Sequence, residues 1–553
     1  MRVFVSITTA VLVFALSVAV TTQVSGDTIE SRKTELVPAE SPDPSSHAPA
    51  QNALVSVKIL AINDLHGALD SQHKVAGVPI GGAAYLAAHL KARAASSPNS
   101  IVVGAGDLYG ASGAVSALLN EEPTVRAVNE MGLRLNSPGN HELDQGIGEF
   151  MRLTKGGCSE RGCFEGSRYK QISSNIVVEA TGEPLLDPYE IVLVDGVPIA
   201  FIGAVHRDVA AINLAGTVDG LVFLDPASAV NRYVHELEQQ GVHAFVVLIH
   251  EGGWMNDRGE LAGPIVPILE ALDPAVSLVV SAHTHQMYAV RHDGRLVTQG
   301  FADGAAFVDI DLVIDRSSDS MVHSSAEVIT TWPVGIEPDA RVQAIVREAH
   351  SAVESLISRQ VGSAAEEMSK LSPSSAGETT LGNLIADSQR WKVATDFAFM
   401  NLFSIRAAIE PGPVTWGDLF RVEAYRYELV TMSMTGRQLY SLLNQQWSVD
   451  ASGAEVFRPL QVSGLNVVWD ASRPRGQRIV SVHTSSGQAI DHAASYSVVA
   501  NAFIAGGGDG YTEFLACDAR YAGVTDVDAL VEYVEQLPQP FTASIDGRIR
   551  RLR

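Results

Sequence analysis

Val55-Ser56-Val57-Lys58-Ile59-Leu60-Ala61-Ile62-Asn63-Asp64-Leu65-His66-Gly67 is the stretch whose reading decides the fold. Its first half alternates and then turns apolar, as an initial buried strand does, and it runs straight into amide, carboxylate and imidazole. Comparable β-rich runs recur at Ile101-Val102-Val103, Pro198–Ile202, Ala244–Ile249 and Leu278-Val279-Val280, with helical patterns over Ala83–Ala94 and Pro226–Gln240 between several of them. That alternation predicts an α/β domain. In such folds ligands gather outside the carboxyl ends of the strands.

Outward from this core, 553 residues exceed what one hydrophobic core supports, so at least two separately cored units are expected. Val342, Ile345, Val346, Ala349, Val353 and Leu356 follow Pro333 and Pro338 at helical spacing and predict a connecting helix over 336–360. Beyond it the pattern mixes helices near Leu381–Trp391 and Gly436–Gln446 with strands near Leu429–Met434 and Ser495–Ala500. The expected layout is a first domain over 53–335, the connector, and a second, smaller mixed α/β domain over 361–553.

Arg2, the apolar Ala10–Leu16 and the small residues Val24-Ser25-Gly26 read in order as a secretory signal over 1–26, the alternative being an uncleaved anchor. The Pro- and Ser-rich 27–52 reads as a flexible tether. The protein is therefore expected to be exported, periplasmic or at the cell surface, with no membrane span after signal removal. The net charge of −24 argues against a nucleic-acid polymer as partner, which needs clustered Lys and Arg, but leaves small anionic ligands open. Of three cysteines, Cys158 and Cys163 are near enough in sequence to close a small ring, or all three stay free thiols. The sequence leaves the oligomeric state open.

Four polar clusters end strands in the first domain: Asn63-Asp64-Leu65-His66-Gly67, Gly106-Asp107, Gly139-Asn140-His141-Glu142-Leu143-Asp144, and His250 with the later His283-Thr284-His285. Singly, each has a bland reading as a helix cap, a structural histidine or a turn. As an ordered set they offer the ligands that Zn, Mn, Co or Fe accept, and predict two divalent metal ions with Asp107 as the bridging carboxylate.

This set resembles the calcineurin-like metallophosphatase superfamily, and the whole chain is similar to the 5′-nucleotidase family. The resemblance implies a four-layer α/β/β/α first domain. It implies one metal held by Asp64, His66, Asp107 and His285, and the other by Asp107, Asn140, His250 and His283; many nucleotidases have Gln where His285 stands. It implies phosphate-ester hydrolysis by a hydroxide activated between the metals, with His141 protonating the leaving group and Asp144 orienting His141.

The second domain resembles the nucleotidase substrate-binding domain through Gly377–Asn383, Asn401–Arg406, Thr415–Asp418 and Asn501–Tyr511. That likeness assigns a small-molecule nucleotide as partner and implies that the two domains rotate about a hinge around Gln360-Val361-Gly362. Phe503 and Tyr425 would be the two rings of a base sandwich, Asp509 would take the ribose, Asn401 the base or sugar edge, and Arg406 the phosphate; core packing is the plain alternative for the rings. Two departures stand out: Phe403-Ser404 replace a Gly-Gly common in relatives, and Ser374-Ser375-Ala376 replace arginines found in some. The expected substrates are nucleotides, extending to nucleotide sugars, dinucleotides and 2′,3′-cyclic nucleotides. The alternatives are a thiosulfohydrolase-like enzyme and a non-catalytic surface binding protein.

Overall fold

A computed structural model describes residues 53–159, 162–449 and 455–552, so the expected signal and tether lie outside the described residues. The strand Leu54–Ile62 is the third of a six-stranded sheet. It pairs antiparallel with Ala306–Asp315, itself in a hairpin with Ser320–Thr330. On its other side Ser100–Gly104, Leu133–Asn136 and Lys170–Gln171 follow in parallel. A second six-stranded sheet runs Tyr189–Val194, Val197–Val205, Ala244–His250, Val276–Val280, Arg295–Gly300, Met287–His292, with its four inner strands parallel.

The two-residue side-chain period decides how these sheets stack. Val55, Val57, Ile59 and Ala61 face the other sheet and meet Ile199, Phe201, Val246, Leu248, Leu278 and Val280 in one core. Leu60 and Ile62 point the opposite way, into the helices Ala83–Ala94 and Glu122–Met131. From the second sheet Ala200, Ile202, Phe245, Val247 and Val279 pack outward against Pro226–Glu238 and Ile265–Ala271. The result is the expected α/β/β/α sandwich. Strands buried on both faces explain why their sequences read as apolar runs rather than alternations.

The connecting helix is Ala340–Ile357; Asp339 caps it by accepting from the amides of Arg341 and Val342, and Val342, Val346 and Ala349 join the first domain's outer core. The segment expected to hold the hinge opens a strand, Gln360–Ala364, paired with Gly412–Thr415 across a register irregularity between Gln360 and Gly362. The second domain is built on a five-stranded sheet ordered Leu460–Ser463, Phe397–Asn401, Ser495–Asn501, Glu428–Thr435, Arg520–Thr525. Helices Thr380–Val393, Trp416–Val422 and Asp526–Gln536 share one core beside it. Helix Gly436–Asn444 and a small three-stranded sheet make another. Cys158 and Cys163 form a disulfide across a short hairpin, and Cys517 is a free thiol. No helix among the described residues is long and apolar enough to cross a membrane.

Gly203, in the strand Val197–Val205, lets the segment after Gln171 cross close to the sheet: a Cβ there would stand 2.1 Å from the carbonyl oxygen of Ile172. Gly203→Ala is expected to destabilise the protein by about 1–3 kcal/mol through backbone displacement. Gly148→Ala, where a Cβ meets nothing within 4 Å, should be neutral or mildly stabilising. Thermal unfolding of both variants checks this, and equal melting temperatures would remove the steric account.

Candidate metal centre

The chemistry-bearing loops leave the carboxyl ends of neighbouring strands, and backbone hydrogen bonds stitch them together. The amide of Asp64 donates to Gly106 O (2.9 Å), that of His66 to Asp107 O (2.9 Å), and that of Asp303 to Asp64 O (2.7 Å). Such close packing bends the chain hard: Asp64, His66, Asp107, His283 and His285 all have φ between 46° and 69°. Left-handed backbone is unfavourable for residues with a Cβ and gathers where function requires it.

Two groups of potential ligands result, Asp64 with His66 and His285, and Asp107 with His250 and His283. Asp107 is common ground: its Oδ2 lies 3.0 Å from His250 Nε2 and 3.9 Å from His66 Nε2, while Oδ1 accepts from the amide of His141 at 2.8 Å. Asp64 faces His285 Nε2 at 3.6 Å and accepts from the amide of His283 at 3.0 Å. Each inner imidazole is oriented from behind. Nδ1 of His66 donates to Gly110 O (3.0 Å) and Nδ1 of His250 to Ala105 O (2.8 Å), which turns each Nε2 inward.

The donor set fits divalent cations on four further observations. The Nε2 atoms of His66 and His285 converge to 3.0 Å. The Oδ1 of Asn140 is buried with no hydrogen-bond partner, and the buried Nε2 of His250 is turned onto the Asp107 carboxylate at 3.0 Å. Burial holds His66, His283 and His285 below the usual histidine range, keeping the neutral form whose lone pair can ligate. His250 goes the other way: burial works against its charge, yet the Asp107 carboxylate raises it to about 10.

His141 stands beside this centre. Its ring is 5.2 Å from that of His66, and its Nδ1 is 2.8 Å from Asp144 Oδ2, so its Nε2 is left facing the cleft. Burial disfavours the imidazolium, but Asp144 and Asp107 outweigh it and raise the pKa. Asn213 donates to Asn140 O (2.8 Å) and to Asp144 Oδ1 (3.3 Å), joining ligand loop and dyad.

The second domain reaches the same place. Tyr425 lies 5.6 Å from the ring of His141, and the Arg406 guanidinium is 5.8 Å from the Tyr425 centroid. Asn401 Nδ2 donates to Asp509 Oδ2 at 2.7 Å. The expected sandwich needs correcting in one respect. Tyr425 does not face Phe503 directly: Tyr427 lies between them, stacked at 5.1 Å on Tyr425 and at 5.7 Å on Phe503. Arg426, between the two tyrosines in the chain, has left-handed backbone with φ 54°. Gly508 leaves room for the Phe503 ring, which a Cβ there would meet at 2.6 Å.

Comparison with known proteins agrees with this architecture. Residues 57–287 match the calcineurin-like phosphoesterase model and 360–516 the 5′-nucleotidase C-terminal domain model. The cell wall protein Lmo0130 of Listeria monocytogenes is 31% identical over 89% of this chain and 69% of its own. The chain belongs to the 5′-nucleotidase family. The Thermus thermophilus 5′-nucleotidase precursor superposes with a TM-score of 0.75 at 26% identity, covering 90% of this chain and 99% of that one. Endonuclease YhcR of Bacillus subtilis is 34% identical over 90% of this chain, which spans 41% of YhcR.

Within this family architecture, sequence reasoning passed over several residues. The sequence gives Glu142 no role, yet its buried carboxylate accepts from the amides of Asp107 (2.7 Å), Leu108 (2.9 Å) and Gly139 (2.8 Å). His206 packs 4.6 Å from the ring of His283 and is pushed down to about 3 by burial. Its signal was available, since it ends the strand Val197–Val205 as His250 ends the next one. Asp107→Asn, which removes charge from both groups at once, is expected to lower bound metal by about one ion or more per chain. Elemental analysis after gel filtration checks it; full retention would deny Asp107 a place at both sites.

Proposed function

We propose that the chain is an exported, metal-dependent phosphoester hydrolase that removes phosphate from nucleotides, with its metal and catalytic residues in 53–335 and its nucleotide-recognition residues in 361–553. The observation that carries this reading is that Asp107 Oδ2 meets an imidazole of each potential-ligand group, His250 Nε2 at 3.0 Å and His66 Nε2 at 3.9 Å, while its Oδ1 accepts from the amide of His141, whose ring is held by Asp144. Asp64, His66, Asp107 and His285 would hold one divalent ion, and Asp107, Asn140, His250 and His283 the other, of Zn, Mn, Co or Fe kind. When bound, the ions supply Lewis acidity towards the phosphoryl oxygens and lower the pKa of an attacking water.

The chain's own residues do the rest. Arg406 fixes the phosphate, and Asp144 holds Nδ1–H of His141 so that Nε2 points at the leaving oxygen and protonates it. Phe503 with Tyr427 and Tyr425 offers flat faces to a base, and the Asn401–Asp509 pair offers polar atoms to its edge or to ribose hydroxyls.

Phosphate release from AMP, other mononucleotides, a nucleotide sugar, a cyclic nucleotide and an aryl phosphate, with and without added Mn or Zn, tests the reading. Metal-dependent preference for nucleotides is expected. Cleavage of the aryl ester alone would keep the metal centre and remove the base-binding roles. His141→Ala with metals retained should lower turnover by a factor on the order of 10²; undiminished turnover would sink the acid role.

One comparison favours a second reading, because the Bacillus subtilis relative is named an endonuclease. The net charge of −24 speaks against a polymeric substrate. Including single- and double-stranded DNA and RNA in the same panel decides it: faster cleavage of any polymer than of AMP replaces the mononucleotide reading.

A further inference from the structure

Behind the turn that carries Tyr425 and Tyr427 lie two carboxyl groups that take no part in the metal centre. Glu423 is 1% exposed and Asp526 0%. Glu423 follows the helix Trp416–Val422 and Asp526 opens the helix Asp526–Gln536, and their neighbours Val422 and Val527 belong to one core. Oε1 of Glu423 and Oδ2 of Asp526 are buried and meet no N–H or O–H of another group. The other Asp526 oxygen accepts from the amide of Val527 at 2.8 Å. What the two side chains reach is each other. A hydrogen bond between two carboxyls requires a proton between them, because an ionised carboxylate only accepts. Two bare carboxylates here would repel each other where nothing solvates them.

The same two residues bracket the turn through their backbones. The amide of Arg426 donates to Glu423 O (3.2 Å), and the amide of Asp526 donates to Tyr427 O (2.9 Å). One end of the turn is thus fastened to Glu423 and the other to Asp526. Between them Arg426 keeps its left-handed backbone, a conformation that persists only where the surroundings hold it. From this turn Tyr425 reaches to 5.6 Å from the His141 ring, and Tyr427 stacks on Phe503.

Three titratable groups face the pair: Lys370, which attracts Glu423, Asp528 in the first turn of the helix that Asp526 opens, and Tyr427 on the turn itself. Burial first, then the Asp526 charge, hold Glu423 well above the usual carboxylate range, and burial raises Asp526 to about 7. Resting on the nucleotide reading above, we propose that Glu423 and Asp526 are positioning residues: they share a proton, and the hydrogen bond so formed holds the 423–427 turn in the shape that sets Tyr425 and Tyr427 in line with Phe503 for a nucleotide base. A carboxyl raised in the folded chain gives up its proton more readily once unfolded. The stability it confers is therefore complete below about pH 4 and is lost as pH rises towards 7 and beyond.

The test uses the full chain, comparing the unaltered protein with Glu423→Gln, whose amide donates to Asp526 without a titrating proton, and Glu423→Ala, which leaves Asp526 alone. Melting temperature is followed between about pH 5 and pH 8. The unaltered protein is expected to lose stability across this range more steeply than Glu423→Gln, and equal slopes would overturn the shared proton. KM and kcat are then measured with saturating Mn for AMP and for phenyl phosphate, which meets the same metal centre but carries no base. Glu423→Ala is expected to raise the AMP to phenyl phosphate ratio of KM about fivefold, the value of one aromatic stacking contact, with kcat little changed. Glu423→Gln should restore the ratio to within about twofold. An equal rise for both esters, or an unchanged ratio, would overturn the positioning role. Should Glu423→Ala not fold, the ratio is followed over the same pH range in the other two proteins. It should then rise in the unaltered protein alone, and parallel profiles would overturn the role. If the unaltered protein hydrolyses no nucleotide, the functional reading fails instead, and the melting slopes still decide the shared proton.

Discussion

The whole centre hangs on how a single carboxylate is presented. Asp107 can face imidazoles from both sheets only because its loop doubles back in a left-handed turn, and that turn is held by Glu142, whose carboxylate gathers the amides of Asp107, Leu108 and Gly139. A buried carboxyl costs free energy unless its lone pairs are satisfied, and here backbone amides from two loops satisfy them. Burial and the nearby Asp107 charge raise Glu142 to about 8, so its proton is held more firmly than in solution. The strained residues at 64, 66, 283 and 285 follow from this one, because their loops are bonded to the 106–110 backbone or to the Asp64 carboxylate.

The sandwich supplies the rigidity for that strain. Its central core is lined by short β-branched side chains from both sheets, almost all fully buried, so the strand ends cannot drift apart without opening the core. The second domain then adds a cation, aromatic faces and a polar pair, and it sets Tyr425 against His141 with Arg406 beside the Tyr425 ring.

Much of this was legible in the sequence because period-two burial and strand-end polarity are local signals. Asp64, His66, Asp107, His250, His283 and His285 are each announced by the strand before them, and the structure gathers them into two groups of three. The connecting helix was equally plain from its three- and four-residue spacing. The residues missed act through the backbone or across long separations. Glu142 works by accepting amide hydrogens, which leaves no periodic trace, and Asn213 meets Asn140 and Asp144 from about seventy positions away. The order of the aromatic stack joins residues 425 and 427 to Phe503 across a long separation, which no local pattern announces.

The three stacked rings have a consequence for discrimination. Tyr425, Tyr427 and Phe503 already satisfy one another face to face, so a planar guest entering between any two of them exchanges one stacking contact for others of similar worth. Purines and pyrimidines differ little under such an exchange. On the proposed nucleotide reading the aromatic slot is thus tolerant by construction, and the power to tell one heterocycle from another would fall to directional atoms outside the stack, the Asn401 amide and the Asp509 carboxylate.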